Sequence, residues 1–190
     1  MTRSAEIGFY GKVRTHGDFV GRGLPQAFVE SWDHWLQRGM LAARERLGDA
    51  WLESYLVMPM WCFVLKGGGV DDYGYAGVMV PGLDAVGRYF PFVIAMGADP
   101  HVIAQWRVPG GEWYREVARL ALSTLNDDFS LSRLEADIKA VRDAGPGARP
   151  LDVRSNFESA WWTLLDDPAN PPVRGGVLDS PLFMKLLGGD

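Results

Sequence analysis

Residues 60–65 read MWCFVL, residues 75–80 read YAGVMV and residues 89–96 read YFPFVIAM. Each run is apolar and of strand length. The links between them carry glycine, Gly67-Gly68-Gly69 in the first and Gly82 and Gly87 in the second. Short Gly-rich links between strand runs predict an antiparallel meander. Apolarity that is continuous rather than alternating predicts a sheet covered on both faces. Pro91 has no N–H to give to a ladder, so its strand begins late, lies at an edge or bulges there.

Upstream, Ile7–Arg14 reads as a strand in which Gly8 and Gly11 let the backbone approach another element closely. Residues 15–24 (THGDFVGRGL) read as a loop. After Pro25, residues Phe28, Trp32, Trp35, Leu36, Gly39, Ala43 and Leu47 recur at helical spacing, and Gly48 marks the stop. A shorter helix is expected from Asp49, a good N-cap residue, to a point before Pro59.

Downstream, Trp113, Val117, Leu120, Ala121 and Thr124 form one helical stripe, and Leu131, Leu134, Ile138 and Val141 another. Ser132 and Glu135 have capping-box spacing, and Gly145-Pro146-Gly147 ends that helix. Glu158–Leu165 reads as a strand with Trp161 and Trp162 on opposite faces. Val173–Leu178 reads as another, and Ser180 as the cap of a short last helix. The only internal boundary is the linker 143–152, and the 38 residues after it are too few for a second domain. The expected fold is therefore α/β. It is a single domain over residues 1–190, a three-layer α-β-α sandwich around a mixed sheet with a central antiparallel meander.

Composition narrows the function. The chain has 190 residues, 47 % hydrophobic and 23 % charged, with net charge −5. Residues 1–95 hold nine basic and ten acidic side chains, and residues 96–190 hold ten and fourteen. An acidic chain without a basic block is a poor binder of the nucleic-acid backbone. Cys62 is the single cysteine, which excludes an intrachain disulfide and fits a reducing compartment. No run of about 18 apolar residues is present, so no membrane insertion is expected. The N-terminal residues lack an apolar h-region, which predicts no signal peptide and a cytoplasmic location.

No catalytic or cofactor motif emerges. His16, His34 and His101 do not pair at metal-ligand spacing, and neither CxxC nor HExxH occurs. Gly11-Lys12 fails as a phosphate loop, because Glu6 and Val13 stand where Gly and Ser or Thr are required. No Ser sits in a GxSxG elbow. Cys62 lies inside an apolar run and reads as a buried core residue. The acidic pairs Asp71-Asp72, Asp127-Asp128 and Asp166-Asp167 read as solvated turn residues. No catalytic residue, cofactor or metal ligand is assigned.

Charged residues embedded in apolar segments are more informative. Lys12 sits within a strand pattern, Asp18 between Gly17 and Phe19, Asp33 between Trp32 and His34, and Arg88 before Tyr89–Met96. Such charges are paired, or lie at a rim where a partner docks. A structural ion pair between Asp18 and Arg88 is one expectation. Partner binding by Lys12, His16, Asp18, Arg22, Asp33 and Arg88 is the other. A rival from another class is a hydrolase or transferase assembled around His16, Asp18 and Arg88, with Lys12 nearby.

Several of these stretches together resemble a family. They are Gly8-Phe9-Tyr10-Gly11-Lys12, Gly17-Asp18-Phe19, and Leu24-Pro25 leading to Trp32-Asp33-His34-Trp35-Leu36. Next come Ala50-Trp51-Leu52 to Tyr55-Leu56, Pro59 and Trp61, then Ala76-Gly77-Val78-Met79-Val80-Pro81. Val86-Gly87-Arg88-Tyr89-Phe90-Pro91 and Ser159-Ala160-Trp161-Trp162 complete the set. In this order and spacing the chain resembles the TagF (ImpM) family of type VI secretion-associated proteins. Two departures stand out: Thr15-His16 replaces the Ser-Arg frequent before Gly-Asp-Phe, and residues 100–157 match poorly.

The resemblance implies a cytoplasmic, non-enzymatic, post-translational repressor of the type VI secretion apparatus. Its partner would be a forkhead-associated scaffold protein that the threonine-phosphorylation pathway also uses. In some genomes the domain is fused to a PP2C-type phosphatase, whose aspartate motifs this chain lacks. A structural subunit of the apparatus is a third possibility.

Overall fold

The computed structural model describes residues 6–99, 111–144, 158–165, 172–176 and 178–188. His101, Asp166-Asp167, Gly145-Pro146-Gly147 and most of the 143–152 linker lie outside them. The strands are β1 (Glu6–Gly11), β2 (Val20–Arg22), β3 (Trp61–Leu65), β4 (Gly74–Val80), β5 (Phe92–Ala98), β6 (Ser159–Trp162) and β7 (Val173–Gly175). The helices are α1 (Gln26–Leu47), α2 (Trp51–Leu56), α3 (Glu112–Ser123), α4 (Leu131–Ala144) and α5 (Ser180–Leu186).

The sheet order is β2-β1-β5-β4-β3-β6-β7. The meander β3-β4-β5 forms its centre as expected, with Cys62 opposite Val78 and Val78 opposite Ile94. The expectation of a mixed sheet is corrected: every described strand pair is antiparallel. Helical connections join strands that are not neighbours, such as β2 to β3 through α1 and α2, so no parallel crossover arises.

Strand periodicity sorts the core into two clusters. Cys62, Val64, Ala76, Val78, Ile94 and Met96 pack with Trp113, Val117, Leu134 and Ile138 from α3 and α4. Trp61, Phe63, Leu65, Met79, Val93 and Ala95 pack with Trp32, Trp35, Leu36, Tyr55 and Phe183 from α1, α2 and α5. Trp161 and Trp162 both enter the core, one in each cluster. At Gly39 on α1, a Cβ would lie 2.6 Å from the Phe183 ring, so the absent side chain lets α5 seat against α1. Cys62 is buried.

Smaller expectations shift. The 15–24 loop contains the edge strand β2, and β1 stops at Gly11 rather than Arg14. Asp49 lies in a 3-10 turn, Gly48–Ala50, and α2 starts at Trp51. Asp179, not Ser180, caps α5 by accepting from the Leu182 N–H at 2.8 Å. α4 begins at Leu131, ahead of Ser132, with Ser130 before it. Pro91 precedes β5, which begins at Phe92.

Candidate functional site

The site is built where the end of β1 meets the turn between β4 and β5. Gly11 has φ +141°, and a Cβ there would lie 2.4 Å from the Pro91 carbonyl oxygen. Only a residue without a side chain admits that approach. Lys12, the next residue, turns inward and is buried.

Its partner is Asp84, a residue the sequence does not single out. Lys12 Nζ donates to Asp84 Oδ2 at 2.6 Å, and neither side chain is more than 7 % exposed. Arg88 Nε donates to the same oxygen at 2.7 Å. The other oxygen, Oδ1, accepts from the backbone N–H groups of Val86 at 3.1 Å and Arg88 at 2.9 Å. Asp84 thus closes the turn 84–88 as an Asx motif and neutralises a buried lysine. Burial alone pushes its carboxyl up, yet hydrogen bonds from Lys12 and Arg88 outweigh it and hold the group well below the usual carboxylate range.

The expected Asp18–Arg88 ion pair is corrected by this geometry. Arg88 is paired with Asp84, whose four-residue spacing closes the turn, while Asp18 Oδ1 accepts from its own neighbour's N–H, Phe19, at 2.8 Å. Arg88 does reach that loop: its Nη2 donates to the Gly17 carbonyl at 2.5 Å. The Ala85 N–H donates to the His16 carbonyl at 2.9 Å. Loops 14–19 and 84–88 are therefore laced together through backbone and guanidinium.

Two further anchors fix this loop pair. Tyr55 on α2 donates its hydroxyl to the Gly82 carbonyl at 2.8 Å and accepts the Gly82 N–H at 2.9 Å, both buried. Tyr10, on β1, donates to Asp33 Oδ1 on α1 at 3.0 Å, and Gln37 donates to Asp33 Oδ2 at 2.5 Å. Burial, then the Asp33 hydrogen bond, raises the Tyr10 phenol above its ordinary range. The Tyr10 ring stacks on Phe19 at 5.3 Å, and Phe19 meets Phe90 edge-on at 4.9 Å. Lys12 Nζ sits 5.0 Å from the Phe19 ring centre.

The six nominated residues divide accordingly. Lys12, Arg88 and the loop bearing His16 and Asp18 converge. Asp33 joins through Tyr10 as a positioning residue. Arg22 does not join: it reaches Glu135 on α4 at 3.2 Å. The His16 ring shares a hydrogen bond with Thr15 Oγ1 at 2.9 Å and lies edge-on to Phe129. Arg14 pairs with Asp127, one of the acidic residues expected to be merely solvated. Asp71 is likewise engaged, accepting from the Tyr73 N–H and the Tyr75 hydroxyl. A shallow cleft of about 340 Å³ lies beside the turn, between Arg14, Leu83, Asp84, Ala85, Gly87 and Asp127. Among the described residues no three His, Cys, Asp or Glu side chains converge as a metal site.

The loop pair presents an exposed face. The Arg88 side chain is 59 % exposed, and Val86 and Phe19 are large apolar residues left partly in solvent, at 70 % and 38 %. Tyr55 and Asp84 are the site residues that sequence reasoning missed. For Asp84 a signal existed: an aspartate opening a turn whose fourth residue is Gly87 and whose fifth is Arg88.

No protein with a curated description matches the chain. A solved structure does: the crystal structure of PA0076 from Pseudomonas aeruginosa PAO1 at 2.05 Å resolution. It is 33 % identical with a TM-score of 0.73, over 95 % of this chain and 93 % of that one. The family model of the TagF N-terminal domain, type VI secretion system-associated, matches residues 8–141. The match runs on past residue 100, into the stretch 100–157 where the motifs match poorly. It takes in most of β1, both loops of the site, the meander and α3, and the chain belongs to the type VI secretion system-associated TagF family.

Proposed function

We propose that the chain is a negative regulator of the type VI secretion system that acts by binding a forkhead-associated component, without catalysis. The observation that carries this reading is the convergence of the GFYGK, GDF and VGRYFP stretches on one loop pair. Their buried members hold the loops, and their exposed members face outward. A buried, fully hydrogen-bonded acid at the centre is suited to rigid presentation of a surface. A reacting group would need access to substrate, and Asp84 has its oxygens occupied by Lys12, Arg88 and two backbone amides.

In this reading Arg88, Asp18 and the His16 loop touch the partner, and Lys12 and Asp33 act through the residues they position. Arg22 stands apart, on the edge strand. The two apolar clusters support a three-layer α-β-α arrangement, in which the loop pair emerges at the end of the sheet. No described helix is long and apolar enough to cross a membrane. A cytoplasmic site of action fits the lone, buried cysteine.

Calorimetry of the purified protein against the forkhead-associated component, unphosphorylated and phosphorylated, tests the proposal. Saturable heat with the unphosphorylated form is expected. Absence of binding to both forms, with both proteins folded and a second method agreeing, overturns direct sequestration.

A further inference from the structure

The charged groups of the loop pair differ in what they still offer a partner. Lys12 and Arg88 each bring one positive charge, and Asp84 brings one negative. Lys12 and Asp84 are buried against each other, so the positive charge of this cluster that reaches solvent is that of Arg88, with the Asp18 carboxylate exposed in the loop it grips. That guanidinium is held rather than free. Nε is fixed on Asp84 and Nη2 on the Gly17 carbonyl, and its remaining N–H groups have no partner among the described residues. Ordering a guanidinium in advance lowers the entropy lost when it binds.

The neighbours of this fork are Val86, two residues before it, and Phe19, in the loop that Arg88 grips. Both are exposed apolar side chains. We propose that the loop pair recognises an acidic segment of a partner protein, placing one carboxylate on the unused donors of Arg88 and a neighbouring apolar side chain against Val86 and Phe19. This rests on the reading of the loop pair as a partner surface, and adds the chemistry of what it takes.

The surrounding charges favour a carboxylate over a phosphate group. Arg88 is the one exposed guanidinium with its fork directed by the cluster, and one fork pairs with one carboxylate. A phosphate dianion would bring a second negative charge towards Asp18, which is exposed beside the Gly17 carbonyl that Arg88 holds, with Asp127 beyond Arg14. Arg14 is already committed to Asp127, and Lys12 is enclosed, so neither supplies a second cation.

The test uses the whole chain as bait for a random decapeptide library displayed on phage, with the Arg88→Glu chain as the parallel bait. The expected result is enrichment of Asp or Glu followed within two residues by an apolar side chain. The best such peptide should bind the Arg88→Glu chain at least ~10-fold more weakly, and the Arg88→Lys chain with an intermediate loss, since a point charge replaces the fork. Val86→Ser should weaken the same peptide while leaving the fork intact.

No enrichment of acidic peptides, or enrichment indifferent to Arg88→Glu in a chain that still folds, overturns the proposal. So does tighter binding of the same peptide when phosphothreonine replaces its acidic residue. Because the probes are peptides, this outcome is independent of the forkhead-associated component. Failure of that component to bind the wild-type chain removes the proposed partner and leaves the peptide result to decide the surface chemistry.

Discussion

Two parts of this molecule join segments far apart in sequence by opposite means. On one face of the sheet, α1 meets α5 and β3 through rings: Trp35 packs edge-on to Phe183 of α5 at 6.0 Å, and Trp32 lies 5.1 Å from Phe63 of β3. At the sheet's end, β1 meets the 84–88 turn through charge, Lys12 to Asp84 at 2.6 Å. Apolar contact is non-directional and scales with area, so many residues share the work and a fitting substitute is tolerated. The charged seam is directional and small, and each of its groups must find a particular partner because water is excluded. The aromatic face is where stability resides, and the seam is where shape is specified.

The largest effect should therefore come from the aromatic face. Trp35→Ala is expected to lose roughly 4 kcal/mol by urea unfolding, as transfer and cavity terms add at a residue only 1 % exposed. A loss below ~2 kcal/mol would mean that the face repacks.

Next comes the seam. Lys12→Met should cost ~3 kcal/mol by leaving the buried Asp84 short of a charge partner. Adding Asp84→Asn to that variant should recover part of the loss, a coupling that a double-mutant cycle reads directly. Tyr55→Phe takes the acceptor from the buried Gly82 N–H, while the Gly82 carbonyl keeps the Phe90 N–H at 3.1 Å, and should cost ~1–3 kcal/mol.

Acid sharpens the contrast further. The Asp84 carboxyl titrates lower in the folded chain than its unfolded value of about 3.9. Its stabilisation is therefore present above that value and is lost as pH falls towards the folded one. The wild-type chain should lose stability below about pH 4 more steeply than the Lys12→Met/Asp84→Asn variant. Parallel curves would show that the seam is not linked to the acid transition. The smallest stability effect is expected of Arg88→Ala, under ~1 kcal/mol because that end of the pair is largely in water. Partner affinity should fall much more than stability in this variant. Equal loss of thermal stability would make Arg88 structural.

The same contrast explains what the sequence makes legible. Periodicity reports which residues avoid water, so the stripe Phe28 to Ala43 and the runs of β3, β4 and β5 are readable before any coordinates. Gly8 and Gly11 are readable as points of close approach, because lacking a side chain has one common use in a strand. Pairing between charges is not periodic. Lys12 and Arg88 stand out as charges in apolar company, but their partner Asp84 lies 72 residues from Lys12 in a turn where an acid is ordinary. Asp18, the expected partner of Arg88, spends its carboxylate on its own turn. The strand β2 is hidden for a related reason: it is three residues long, contains Gly21 and is followed by Gly23, so no pattern has room to repeat.

The central claim is that the loops 14–19 and 84–88 form the partner surface and that the seam beneath them holds its shape. Amide hydrogen exchange of the whole chain, alone and with the forkhead-associated component, tests it most directly. The account predicts slowed exchange on binding in both loops together, with α1 and α5 unchanged. Protection confined to another surface, such as the groove beside Arg22, Glu135 and Lys139, would contradict it.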